Sequence, residues 1–223
     1  MTGAPGSRVV AIDGPAGSGK STVARAVADA LGVDVLDTGA MYRAVTIKVL
    51  DAGIDPTDAE AVTQVAEGAD IVLTDVVELD GRDVTDEIRS PAVNAAVSTV
   101  SAHPGVRRVL IAQQRKWAEM HGGGVAEGRD MGAVVFPDAP LKVFLTASPD
   151  ERARRRSGDE TAASIAQRDG RDVPSTLEPT ADAFVLDTTG MSVAEVVAAI
   201  VGRLPEARRA DLLGESQSES ESA

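Results

Sequence analysis

The chain of 223 residues contains no cysteine. That removes disulfides, thiol nucleophiles and thiolate metal sites together. Its two histidines, His103 and His121, stand far apart without ligand spacing, so both read as surface turn residues rather than as a catalytic or metal pair. Aromatics are scarce: one tryptophan, one tyrosine and three phenylalanines. Positive charge is short as well. Lysine and arginine number 22 against 35 aspartates and glutamates, for a formal net charge of −13. Sequence-independent nucleic-acid binding needs basic surface and stacking platforms, so no nucleic-acid partner is expected. No apolar run approaches the ~20 residues of a membrane span. Residues 1–7 have neither a basic nor an apolar leader pattern. A cytoplasmic protein without membrane contact is expected.

What the sequence does have begins at Val9-Val10-Ala11-Ile12, a short apolar strand. It runs into Asp13-Gly14-Pro15-Ala16-Gly17-Ser18-Gly19-Lys20-Ser21-Thr22 and then an alanine-rich helical stretch. Strand, G-x-x-x-x-G-K-S loop and helix in that order are the context of a P-loop. Glycines let the main chain approach a phosphate, and the loop N–H groups with the helix N-terminus face a polyanion. Gly14, Pro15, Ala16, Gly17, Ser18, Gly19, Lys20, Ser21 and Thr22 are therefore the expected ATP-binding residues. Lys20 supplies charge to the β- and γ-phosphates, and the Ser21 hydroxyl is the expected Mg²⁺ ligand.

The rest alternates short strands with helices. Apolar spacing predicts helices at 22–31, 39–50, 58–67, 106–121 and 192–204, with Ser90-Pro91 opening another. Strands are predicted at 33–36, 71–73, 76–79, 82–85, 124–127, 142–145 and 184–186, with an Asp80-Gly81 hairpin turn. This implies an α/β fold of the P-loop NTPase type, a parallel sheet with helices on both faces. Residues 54–124 look like an insert. From Gly214 the chain is Glu/Ser-rich and reads as a disordered acidic tail. Polar groups gather at strand ends, where open α/β sheets bind ligands: Asp37 to Arg43, and Glu127 to Gly132. An arginine-rich segment follows from Arg152. Arg152, Arg154, Arg155 and Arg156 cannot all face a ligand from one helix, so two or more form a solvated face. Arginine suits the joining of two anionic nucleotides, since its fork binds phosphate oxygens bidentately and stays charged. Taken alone, Thr38 also suits a helix N-cap, Arg107 a solvated helix arginine and Arg129-Asp130 an ion pair. Another small-molecule kinase and a nucleotide-dependent switch remain open at this level, although no N-K-x-D guanine reader is present.

The stretches Ile12 to Ser21, Leu36 to Arg43, Val84 to Arg89 and Gly128-Arg129-Asp130-Met131-Gly132-Ala133-Val134-Val135-Phe136-Pro137-Asp138-Ala139-Pro140 resemble bacterial cytidylate kinases, of the P-loop nucleoside monophosphate kinase group. The resemblance spans about residues 8–204. It implies phosphorylation of CMP and dCMP by ATP with Mg²⁺. It also implies a CORE domain over 8–53 and 125–204 and a monophosphate-binding insert over 54–124. The mobile LID would span about 152–175, with a flexible N-terminus at 1–7 and a tail at 205–223. By position, Thr38 and Arg43 would meet the monophosphate side. Ser98, Arg107 and Asp130 would read cytosine, Arg129 would hold the CMP phosphate, and Arg168 and Asp172 would contact ribose and phosphates. Lys20, Arg129, Arg168 and Arg171 would be catalytic. A monomer is expected. The family's LID is usually longer, and its R-D-x-x-D-S-x-R pattern is here Arg168-Asp169-Gly170-Arg171-Asp172-Val173-Pro174-Ser175. The final arginine is missing, and Arg171 is the expected substitute.

Overall fold

The computed structural model describes residues 6–155 and 178–204. They form two compact units, one of residues 6–36, 115–155 and 178–204, the other of residues 37–114. The first is built on a five-stranded sheet. Its strands are β1 (Val9–Asp13), β2 (Val35–Asp37), β6 (Gly124–Glu127), β7 (Leu141–Thr146) and β8 (Phe184–Asp187), in the order β2-β6-β1-β7-β8. β1 runs parallel to both β6 and β7, and β7 runs parallel to β8. All five residues of β1 are buried. A central parallel strand is covered on both faces, and for that reason reads as an unbroken apolar run rather than an alternation.

One face is closed by helix α1 (Lys20–Leu31) and helix α7 (Val193–Val201). Val23, Val27 and Leu31 recur every fourth residue of α1 and pack with Val10, Ile12 and Leu145 of the sheet and Val196 and Ile200 of α7. The helix starts two residues before the expected Thr22. Gly19, at φ 93°, is its N-cap and turns the chain straight from the loop into the helix. This unit also holds helix α6 (Pro149–Arg155). Residues 131–135 carry no helical or strand periodicity, yet they form a π-helical turn beside β1. Such turns recur at functional sites.

The second unit holds helices α2 (Thr38–Asp51), α3 (Ala59–Glu67) and α4 (Pro91–Ala102), and the first part of α5 (Pro104–His121), which the division between units cuts after Gln114. A small antiparallel sheet has strands β3 (Ile71–Leu73), β4 (Val77–Leu79) and β5 (Arg82–Asp83). Asp80 and Gly81, at φ 51° and 77°, make the expected hairpin turn. β5 is shorter than expected because side chains take over its ladder. Val77 N–H donates to Thr85 Oγ1 at 2.9 Å and Thr85 N–H to Asp83 Oδ1 at 2.8 Å. Side-chain caps set the helix starts: Asp37 accepts Ala40 N–H, Asp58 accepts Glu60 and Ala61 N–H, and Ser90 accepts Val93 N–H ahead of Pro91.

Residues 1–5 of the expected N-terminal segment, residues 156–175 of the expected LID and the expected acidic tail (205–223) lie outside the described residues.

Candidate active site

The P-loop leaves the carboxyl end of β1. Gly14 adopts φ 149°, and a Cβ there would run into the Leu145 carbonyl of β7; only glycine lets the loop turn this close to the neighbouring strand. The Ser18 N–H donates to the Pro15 carbonyl at 3.3 Å, and Lys20 Nζ to the same carbonyl at 3.0 Å. Ala16 and Ser18 are buried, while Thr22 is exposed on α1.

Ser21 points across the loop to the next strand. Its Oγ donates to Glu127 Oε1 at 2.5 Å. Glu127 ends β6 and is only 5% exposed. This carboxylate was not among the expected site residues. The available signal was an apolar strand, Gly124-Val125-Ala126, that closes on an acid. The stretch Ile71-Val72-Leu73-Thr74-Asp75 has the same look, but its strand, Ile71–Leu73, belongs to the small antiparallel sheet of the other unit. A hydroxyl from the first turn of α1 and a carboxylate at the end of β6 form an oxygen donor set suited to a hard divalent cation.

Two residues beyond Glu127 come Arg129, half-buried, and Asp130, 5% exposed. Asp13, at the end of β1, accepts Met131 N–H at Oδ1 and Gly132 N–H at Oδ2, both at 2.8 Å. Burial holds the Asp13 carboxyl above its usual range, and the charge of Asp130 adds to that; the two N–H bonds and Lys20 act in the opposite direction.

Helix α6 lies over the P-loop. Arg152 Nη1 donates to the Ala16 carbonyl at 3.2 Å. Arg155 Nη1 donates to the Ser18 carbonyl at 3.1 Å and to Thr188 Oγ1 at 2.9 Å, and its Nη2 to the Thr188 carbonyl at 2.8 Å. Arg154 turns outward and pairs with Glu151 at 2.7 Å. The cluster thus divides as one helix must divide it, into two arginines on the loop and one on the solvated face; Arg156 lies outside the described residues. Thr188, 1% exposed, is a further P-loop neighbour that the sequence reading did not single out.

In the second unit, Thr38 is the first residue of α2 and is buried, and Asp37 rather than Thr38 provides the cap. Arg43 Nη1 donates to the Ile88 carbonyl and to Asn94 Oδ1, both at 2.7 Å. Ser98 on α4 and Arg107 on α5 are half-buried. The first unit therefore gathers Lys20, Ser21, Glu127, Arg129 and Asp130, while Thr38, Arg43, Ser98 and Arg107 belong to the second. Arg168, Arg171 and Asp172 lie outside the described residues.

Residues 10–206 match a family model described as cytidylate kinase. The cytidylate kinase of Mycobacterium leprae (strain Br4923) is 48% identical, over 85% of this chain and 92% of that protein. That of Pelotomaculum thermopropionicum is also 48% identical, over 90% and 97%. A bifunctional pantoate ligase/cytidylate kinase of Synechococcus sp. (strain WH7803) is 49% identical over 87% of this chain but 44% of its own length. The chain spans less than half the length of the bifunctional relatives that it matches.

Proposed function

We propose that this chain, which belongs to the cytidylate kinase family, transfers the γ-phosphoryl group of ATP to CMP, and to dCMP, in pyrimidine nucleotide metabolism. The observation that carries the reading is the convergence of the P-loop with the Glu127-Gly128-Arg129-Asp130 strand end on adjacent parallel strands. One set of groups suits a triphosphate, and the other adds an arginine and a buried carboxylate for a second, anionic substrate.

In the proposed step an oxygen of the CMP phosphate attacks the γ-phosphorus in line. The bond from that phosphorus to the bridging oxygen of ADP breaks, leaving ADP and CDP. No proton transfer is needed, so positioning and charge neutralisation supply most of the acceleration. Lys20 exchanges the Pro15 carbonyl for the β- and γ-phosphate oxygens. Arg129 holds the acceptor phosphate. Ser21 and Glu127 would hold magnesium, whose charge offsets that of the ATP phosphates when it is bound. Asp130 reads the base. An ionised carboxylate only accepts hydrogen bonds, which matches the 4-amino group of cytosine and opposes the 4-oxo group of uracil. Thr38, Arg43, Ser98 and Arg107 complete the monophosphate and base contacts in this reading. Arg168 and Asp172 serve ribose and phosphates, and Arg171 makes up the missing LID charge. The reading also takes the enzyme to be a cytoplasmic monomer, which fractionation and sedimentation check.

The test is steady-state phosphorylation of CMP, dCMP, UMP, AMP and GMP with Mg·ATP. A kcat/KM for CMP about 10² or more above that for UMP is expected, the discrimination that an unpaired buried polar group supplies. A preference for AMP or GMP would assign the scaffold to another nucleotide kinase. Nucleotide binding without turnover of any of the five would make it a switch.

A further inference from the structure

The turn after Arg129-Asp130 is fastened at both ends. At its start, the two oxygens of Asp13 take the successive N–H groups of Met131 and Gly132. At its end, Arg115 donates from Nε to the Val135 carbonyl at 2.9 Å and from Nη2 to the Val134 carbonyl at 2.8 Å. Inside the turn, Val134 and Val135 N–H return to the Asp130 carbonyl at 2.9 and 3.2 Å, and Phe136 N–H reaches the Met131 carbonyl at 2.7 Å. Phe136 is wholly buried and anchors the exit. Asp130 is therefore the N-cap of a short, wide helical turn whose first amide groups are bound by one carboxylate and whose last carbonyls are bound by one guanidinium.

The chemistry of Asp13 is not what a loop fastening alone requires. Asp13 is 8% exposed, and it carries a carboxylate close enough to Asp130 for their charges to oppose. Taking a charge out of water is costly unless it is fully hydrogen-bonded. Its two oxygens are rigidly coplanar, so accepting one N–H each fixes the orientation of two consecutive peptide planes. Those planes directly follow Asp130. Arg115 does the same at the other end with a planar donor fork. We propose that Asp13 and Arg115 are positioning residues for base selection: by holding the turn 131–135 from both ends, they set where Asp130 presents its carboxylate and so how sharply cytosine is told from uracil. The inference rests on the reading of Asp130 as the base reader. It competes with a plainer account in which Asp13, the residue before Gly14, serves only to shape the P-loop for ATP.

The experiment compares wild type with Asp13→Asn, Asp13→Ala, Arg115→Ala and Asp130→Asn. For each, kcat and KM are measured with CMP, UMP and ATP, and deuterium exchange is followed in the peptide covering 128–136. Asparagine replaces one acceptor oxygen with a donor, so Asp13→Asn keeps the shape of the side chain and loses one of the two bonds; it serves as the reading if Asp13→Ala does not fold. Faster exchange in 128–136 is expected for Asp13→Asn and Arg115→Ala. Both should lower the CMP/UMP ratio of kcat/KM by about tenfold, the scale of one lost buried hydrogen bond, while KM for ATP stays within about twofold. A rise in KM for ATP with an unchanged CMP/UMP ratio overturns the proposal in favour of the P-loop account. So does a normal ratio in Asp13→Asn and Arg115→Ala when Asp130→Asn narrows it. If Asp130→Asn itself leaves the ratio unchanged, the base-reader assignment fails, and this proposal falls with it.

Discussion

Glu127 and Ser21 share one hydrogen bond of 2.5 Å, and the pair can exchange that proton contact for a cation only if the carboxylate charge is present. Glu127→Gln preserves the bond and removes the charge. The expected outcome is a rise of about tenfold or more in the magnesium concentration giving half-maximal rate, with the thermal midpoint unchanged; a magnesium titration at saturating ATP checks it. Lys20 belongs to the same scale. In the proposed mechanism its charge acts on phosphate oxygens that gain negative charge in the transition state, so Lys20→Met should lower kcat by about a hundredfold or more while the protein stays folded. Near wild-type turnover would remove the P-loop from the mechanism. For Arg171 the expectation comes from chemistry and the family pattern. A transition-state arginine is worth about 10³ or more in kcat, whereas a solvated one is worth almost nothing. Arg171→Ala should therefore reduce kcat/KM for CMP sharply and non-additively with Arg168→Ala. Kinetics within about twofold of wild type would move the role to another arginine.

Elements begin where a side chain can take an orphan N–H, and here the caps are explicit. Ser192 and Glu195 make a reciprocal capping box at α7: Glu195 N–H donates to Ser192 Oγ at 3.3 Å, and Ser192 N–H to Glu195 Oε2 at 2.8 Å. The Ser192 N–H, then its hydroxyl, hold the Glu195 carboxyl below its ordinary 4.5. A carboxyl with a depressed native value stabilises the fold above its unfolded value and loses that contribution as pH falls through the native one. Wild type should thus melt above Glu195→Gln at neutral pH, with the gap closing as the pH is taken below about 4.5. Thermal melts of both proteins from pH 3 to 7 decide it; a gap that does not vary with pH would mean that shape, not charge, makes the cap. The same capping logic explains why a helix start was legible from a pattern as short as Ser90-Pro91. The π-helical turn at 131–135 was not legible, because its hydrogen bonds are closed by Asp13 and Arg115 from elsewhere in the chain.

At the scale of the whole molecule, acid should weaken the fold. Asp55, Asp80, Asp83, Glu151, Asp182, Asp187 and Glu195 all have carboxyls held below their usual range by hydrogen bonds, chiefly from neighbouring threonines, serines, lysines and arginines. Asp13 alone among the shifted carboxyls of the described residues goes the other way, through burial. The depressed group contributes stability above the unfolded values of 3.8 and 4.5 and loses it as pH falls below them. Asp13 contributes in reverse: its stabilisation is complete below 3.8 and is lost as pH rises through its native value. The depressed group outnumbers the raised one, so the thermal midpoint should fall as pH drops from about 5 to 3. Apart from Glu151, whose side chain is 11% exposed, these carboxyls lie at the surface, so salt should flatten the limb; a midpoint that rises monotonically into acid would contradict the assignment.

The amino-acid order determined whatever closes within a few residues. The P-loop, the caps, the Asp80-Gly81 hairpin and the alternation of short strands with helices all depend on local bonding and on the period of apolar side chains, and the elements stand in the structure within three residues of their expected bounds. The family pattern around Gly128-Arg129-Asp130 was legible for the same reason, being contiguous. Tertiary structure alone decided the pairings that cross the chain. Ser21 meets Glu127 across 106 residues and Asp13 meets Met131 across 118, because β6 lies beside β1 in the sheet. Arg152 and Arg155 turn to the P-loop while Arg154 faces water, because α6 packs on the loop with one side only. Strand order and helix docking are settled by how the whole core fills, and no stretch of sequence carries that choice by itself.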